Sequence, residues 1–108
     1  MARLTWSQAL IKKQRKTVAG PSSYPTGGFT VTMEELASIT DVQVTPSKTQ
    51  LLEGSDTVYG IRVSHSGNVV TIVVVSASTV GAGPNAWSEI AAGTDLSGIN
   101  FTVEAWGN

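Results

Sequence analysis

Residues 58–76 read VYGIRVSHSGNVVTIVVVS, and this stretch decides the fold. Tyr59, Ile61 and Val63 fall on one parity and Gly60, Arg62 and Ser64 on the other, the period of two that a strand requires. His65-Ser66-Gly67-Asn68 follows, and residues 69–76 return as a second β-branched run. A Ser-Gly-Asn sequence between two such runs is hairpin chemistry, because glycine accepts the positive φ of a tight turn. The returning strand is apolar on both faces, with Val70, Ile72 and Val74 on one and Val69, Val73 and Val75 on the other. Such a strand is either central and covered on both sides or part of a subunit interface; left bare, it is an aggregation hazard.

The alternation extends in both directions. Phe29 and Val31 alternate with Thr30 and Thr32, residues 33–38 read as a turn or a single helical turn, and residues 41–45 alternate again with Val42 and Val44 inward. Residues 46–57 form a connection marked by Pro46, Gly54, Ser55 and Asp56, although Leu51 and Leu52 sit oddly in a solvated loop. Residues 77–86, ASTVGAGPNA, read as a flexible loop, 86–90 as a short strand, and GTDLSG at 93–98 as a turn cluster. Residues 101–106 are the last strand, with Phe101, Val103 and Ala105 inward. Trp106 shares the parity of Thr102 and Glu104, so it belongs on the outer face, as an interface residue or folded back onto the core. About six short strands with turn signals between them predict an all-β fold, a small antiparallel β-sandwich or barrel of jelly-roll-like type. At 108 residues this is one domain.

Charge separates the N-terminus from the rest. Residues 1–20 hold Arg3, Lys12, Lys13, Arg15 and Lys16 and no acid, whereas residues 21–108 hold Lys48 and Arg62 against eight acids; the chain's net charge is −1. Within this basic arm, residues 5–16 read as a helix. Thr5 and Gln8 make a capping-box pair, Trp6 and Leu10 share a face with Ala9 beside them, and the cations crowd the last turn, where they suit the helix dipole. Twelve residues are marginal for an isolated helix in water, so this extended, partly helical arm is expected to order on docking. TVAGPSSYPTGG at 17–28 is Pro/Gly-rich. The organisation expected is a basic arm at 1–20, a linker at 21–28 and a β domain at 29–108.

Little catalytic chemistry is on offer. Cysteine is absent, which excludes disulfides and thiolates, and the single histidine, His65, lies in the hairpin turn between serines. One histidine supplies at most one ligand of a zinc site, no calcium loop is present, and Gly81-Ala82-Gly83 is not followed by a helix as a dinucleotide site requires. No catalytic, metal or cofactor residues are assigned. The N-terminus does not read as a secretory signal, and no apolar run approaches the ~20 residues of a membrane span. The basic run KKQRK has three readings beside a solvated tail: a nucleic-acid patch, a membrane-surface helix, or a docking arm. The composition favours docking, with Trp6, Leu10 and Ile11 as anchors and Lys12, Lys13, Arg15 and Lys16 complementing an acidic protein surface.

The body opens with Tyr24-Pro25-Thr26-Gly27-Gly28-Phe29-Thr30-Val31 and closes with GTDLSG at 93–98, Phe101, Val103 and Trp106-Gly107. This outline resembles small virion structural proteins of tailed bacteriophages, the head decoration or cement type, over residues 24–107. The resemblance implies a non-enzymatic β protein on the virion capsid surface, made in the host cytoplasm. It would bind the major capsid protein, clamp neighbouring subunits and form a dimer or trimer. The expected oligomer interface is Val69, Val73, Val75 and Trp106; the expected partner-binding residues are those of the arm. The alternatives are another phage structural subunit, of tail or head fibre, and a nucleic-acid-binding module that uses the basic arm.

Overall fold

The structure, a computed structural model, describes residues 11–49, 56–78 and 87–108. Its elements are all strands: β1 (Lys12–Ala19), β2 (Phe29–Thr32), β3 (Ile39–Pro46), β4 (Thr57–Ser66), β5 (Val69–Ser78), β6 (Ser88–Glu89) and β7 (Asn100–Gly107). They form two antiparallel sheets in a sandwich-like arrangement. The first has the order β1-β7-β3, and the second the order β2-β5-β4, with β6 also paired to β5.

The hairpin forms as its sequence predicts. β4 and β5 pair from Thr57↔Ser78 to Ser66↔Val69, which leaves Gly67 and Asn68 as the two-residue turn. Gly67 has φ +60° and Asn68 has no positive φ, the pattern of a type II′ turn with glycine at its first central position. The connection is thus two residues shorter than the four the sequence suggests, and His65 lies within β4, exposed and opposite Val70.

Alternation then builds the core. Val70, Ile72 and Val74 of β5 meet Phe101, Val103 and Ala105 of β7, all of them buried. Val31, Met33, Leu36, Ile39, Ile90, Leu96 and Ile99 complete the cluster, while Tyr59, Ile61, Val63, Val42 and Val44 pack against it. Phe29 meets Phe101 edge-to-face at 5.1 Å between ring centres, a geometry that aligns ring edge with ring face. Removal of these side chains from water is the main force that holds the two sheets together.

The sequence expectation fails at the N-terminus. Residues 12–19 are an edge strand paired with β7 along its whole length, from Lys12↔Gly107 to Ala19↔Asn100, and no helix occurs among the described residues. Lysine, glutamine and arginine are good helix formers, but that preference is worth only tenths of a kcal/mol per residue. An eight-residue ladder to β7, with Val18 turned to the core and Thr17 to Thr102, outweighs it. Trp6 and Leu10 lie outside the described residues, as do Leu51 and Leu52.

Residues 21–28 are held to the body by main-chain hydrogen bonds. The Tyr24 side chain is only 1% exposed. Tyr24 N–H donates to Thr94 O at 2.9 Å, Gly93 N–H to Tyr24 O at 2.8 Å, and Leu96 N–H to Pro21 O at 2.8 Å. The opening and closing signatures of the body, some seventy residues apart, are therefore zipped together by main-chain hydrogen bonds. The Gly20 α-carbon lies so close to the Leu96 backbone that no side chain fits there.

Candidate interaction surfaces

Four surfaces carry the residues of interest: the β1 edge, the outer faces of the two sheets, and the junction at Tyr24. On β1 the period of two divides the cations. Lys13 and Arg15 point to the outer face of the first sheet, and Lys16 to the inner side with Gln14 and Val18. Lys13 Nζ lies 2.9 Å from Glu104 Oε2 and 5.4 Å from the centre of the Trp106 ring. The Lys13 hydrogen bond holds the Glu104 carboxyl below its ordinary pKa. Lys16 Nζ donates to Glu34 Oε2 at 3.0 Å and to Thr32 O at 3.1 Å. Hydrogen bonding to Lys16 lowers the Glu34 pKa.

Gln14 is 5% exposed. Its amide nitrogen donates to Glu34 Oε1 at 3.3 Å, and its oxygen accepts Glu35 N–H at 3.0 Å. The pair Gln14 and Lys16 thereby ties β1 to the segment after β2. Lys12 and Arg15 remain exposed, and Ile11 is 56% exposed where the described chain enters β1. The predicted cations are thus brought together on one strand edge, in an alternating array and not on one helical face.

The predicted oligomer residues are split. Val69, Val73 and Val75 lie on the outer face of the second sheet, whereas Trp106 lies on the outer face of the first. No single flat interface includes both sets. Val69 and Val73 are half-buried and Val75 is buried. The signal missed in the sequence is Trp87. It is 49% exposed, and its ring sits 3.3 Å from where a Gly60 side chain would begin, with Val75 Cγ2 at 3.5 Å from the same point. Gly60 is the seat that lets this ring lie against the sheet; the clue in the sequence was a glycine within an otherwise β-branched strand.

The junction is the most organised polar group. β2 and β6 share one edge of β5 with an interval between them, and the Tyr24 hydroxyl fills it. Val74 N–H donates to Tyr24 Oη at 3.1 Å, Tyr24 O–H donates to Glu89 Oε2 at 2.7 Å, and Gly27 N–H donates to the same carboxylate oxygen at 2.8 Å. Burial, reinforced by the Glu89 bond, pushes the Tyr24 phenol up to about 12. The Tyr24 bond in turn holds Glu89 below its ordinary value. The arrangement satisfies a sheet edge.

Among the described residues, no group of three or more His, Asp or Glu side chains is placed to hold a metal ion. No protein-family model, no curated protein and no solved structure matches this chain.

Proposed function

We propose that this chain is a non-enzymatic virion structural protein of tailed phages, a capsid cement or decoration protein located on the capsid surface and bound to the major capsid protein. The observation that carries the reading is the cationic edge strand. A rigid sheet presents Lys12, Lys13, Arg15 and Lys16 along one rim, a fixed array suited to an acidic protein surface. The motifs behind the resemblance add support, because the YPTGG opening and the GTDLSG closing form one hydrogen-bonded junction. The early strands alternate between the two sheets, which supports the jelly-roll-like reading of the sandwich. The apolar outer face of β5, with Trp87 at one end, is the surface through which two or three copies would associate. Many identical copies on one shell raise the effective strength of a weak single contact. The nucleic-acid alternative is disfavoured by the acidic body, which sets eight acids against Lys48 and Arg62 and repels a phosphate backbone beyond the edge strand.

The test is co-expression with the major capsid gene of the same genome, followed by gradient purification of the shells and a count of copies per shell. A fixed, stoichiometric number of copies supports the reading; a chain that stays at the top of the gradient overturns it. Truncation has to stop before Ile11, since removal of residues 1–16 would also remove five of the eight residues of β1.

A further inference from the structure

The hydrogen-bond phase of the first sheet can be read from its continuation. Gly20 N–H donates to Ile99 O at 2.8 Å, one step beyond the Ala19↔Asn100 pair. In an antiparallel ladder, pairs that exchange hydrogen bonds alternate with pairs that do not. Val18, Lys16, Gln14 and Lys12 therefore spend their main-chain groups on β7. Lys13, Arg15, Thr17 and Ala19 turn their N–H and C=O groups away from it. The other side of β7 agrees: Ser47 N–H donates to Asn100 O at 2.7 Å, which gives Asn100, Thr102, Glu104 and Trp106 to β3. Among the described residues, no strand pairs with the outer edge of β1.

The same reasoning applies across the sandwich. Met33 N–H donates to Asn68 O at 2.8 Å, so Val31 and Phe29 bond β5, while Thr30 and Thr32 turn outward. Two strand edges thus flank one open side. Between them lies a groove of about 420 Å³ lined by Lys16, Val18, Ala19, Phe29, Thr30 and Val31 among others. Its floor is apolar, and Lys16 crosses one end to reach Thr32 O.

We infer that the outer edge of β1 is a docking site for an acidic extended segment of a partner protein, which adds to the sheet as a strand. Main-chain hydrogen bonds from Lys13, Arg15, Thr17 and Ala19 supply register, and alternate side chains of the guest enter the groove over Val18. Charge selects the occupant. On the parity opposite Val18, which the acids of such a guest would share, β1 presents Lys13 and Arg15 and no acid. A second copy of β1 would set like charges opposite one another, which is unfavourable, whereas an alternating acidic and apolar strand meets opposite charge. The inference takes only the capsid source of the segment from the proposed function; the edge and groove stand without it.

The test is a ¹⁵N-detected titration of the full chain with a blocked heptapeptide alternating glutamate and valine, and with its lysine and valine counterpart. The expected result is saturable shifts at the amides of Lys13, Arg15, Thr17, Ala19 and Thr30 with the acidic peptide only. Thr17→Pro deletes an outward N–H that takes no part in the β7 ladder, and should weaken binding by at least about tenfold. Arg15→Glu should do the same by charge, and decides the matter if the proline variant does not fold. Equal binding of both peptides, shifts confined to other surfaces, or no saturable shift at about millimolar peptide overturns the inference. Peptide binding without shell-bound copies removes the capsid source and keeps the strand addition; shell-bound copies without peptide binding do the reverse.

Discussion

The outer faces of the two sheets follow the same parity rule and come out opposite in character. On the first sheet, β7 puts Thr102, Glu104 and Trp106 outward, and β1 answers with Thr17, Arg15 and Lys13. The Thr17 and Thr102 hydroxyls are 3.1 Å apart, and Lys13 serves both Glu104 and Trp106. On the second sheet, β5 puts Val69, Thr71, Val73 and Val75 outward, and among the described residues Trp87 comes over to cover one end. Cross-strand polar pairs complete a sheet face in water by themselves. A row of valines does not; it is completed by a covering side chain or by another molecule. The first sheet is therefore a finished surface with a reactive edge, and the second a surface whose finish depends on company.

The largest effect that sharpens this comparison comes from neighbours on β5. Ile72→Ala opens a cavity between the sheets and should cost about 3 kcal/mol, whereas Val73→Ala, one residue on and facing outward, should cost about 1 kcal/mol or less in the monomer. Urea denaturation of the two variants measures both. Equal losses would mean that the outer face is covered as fully as the inner one, and the difference drawn here between the two faces would be gone.

Next in size is Tyr24→Phe. It removes the acceptor of Val74 N–H and the donor to Glu89, which leaves a strand amide inside the fold without a partner, at a cost of about 1–3 kcal/mol. The phenol also sets an alkaline limit. Its folded pKa is raised to about 12 from 10.0, so the folded state holds the proton more tightly. That stabilisation is complete below about pH 10 and is lost as pH rises towards 12. The variant should lose this alkaline step in a pH series of thermal melts; an unchanged step would assign it to another group.

A third effect concerns assembly more than stability. Val73→Asp puts a charge in the middle of the outer apolar row, opposite Arg62, which can receive it on the same face. The fold should persist with a small change in Tm. If the second sheet associates through this face, light scattering should show a dimer or trimer become a monomer. Persistence of the oligomer would move assembly elsewhere, to Trp106 or to the β1 edge.

How much of this was legible in the sequence depends on where the deciding contacts lie. The hairpin, β2, β3, β7 and the inward set Phe101, Val103 and Ala105 were legible, because period and turn residues act within a dozen positions. β1 was not. Its residues favour a helix locally, and the partner that makes it a strand is β7, more than eighty residues away at every pair. Only Thr17-Val18 hinted at it. The buried Tyr24 was hidden for the same reason: two prolines and two glycines around it read as a linker, while its partners Val74, Glu89, Gly93 and Thr94 come from the far end of the chain. For the interface residues, parity was readable but the sheet was not. Val73 and Trp106 both face outward, yet they sit on different sheets because β5 and β7 are the centres of different ladders.

The smallest effect tests whether the first sheet's outer face is as complete as it looks. Glu104 sits below its ordinary pKa because Lys13 hydrogen-bonds its charged form, so the unfolded chain binds the proton more readily at acid pH. The stabilisation is therefore present above the ordinary glutamate pKa and fades as pH falls through the lower, folded value. Glu104→Gln should remove this part of the acid limb and shift Tm at neutral pH by no more than about 2 °C, since exposed pairs are well solvated and screened by salt. Lys13→Gln should shift it further, because Lys13 also loses the Trp106 ring face. An ordering in which Glu104→Gln is the more damaging would mean that Arg15, directly opposite it in the ladder, is the stronger partner of the carboxylate. Equal and negligible shifts from both would make the first sheet's polar pairs ornamental, and the two outer faces would then differ in composition but not in what holds them.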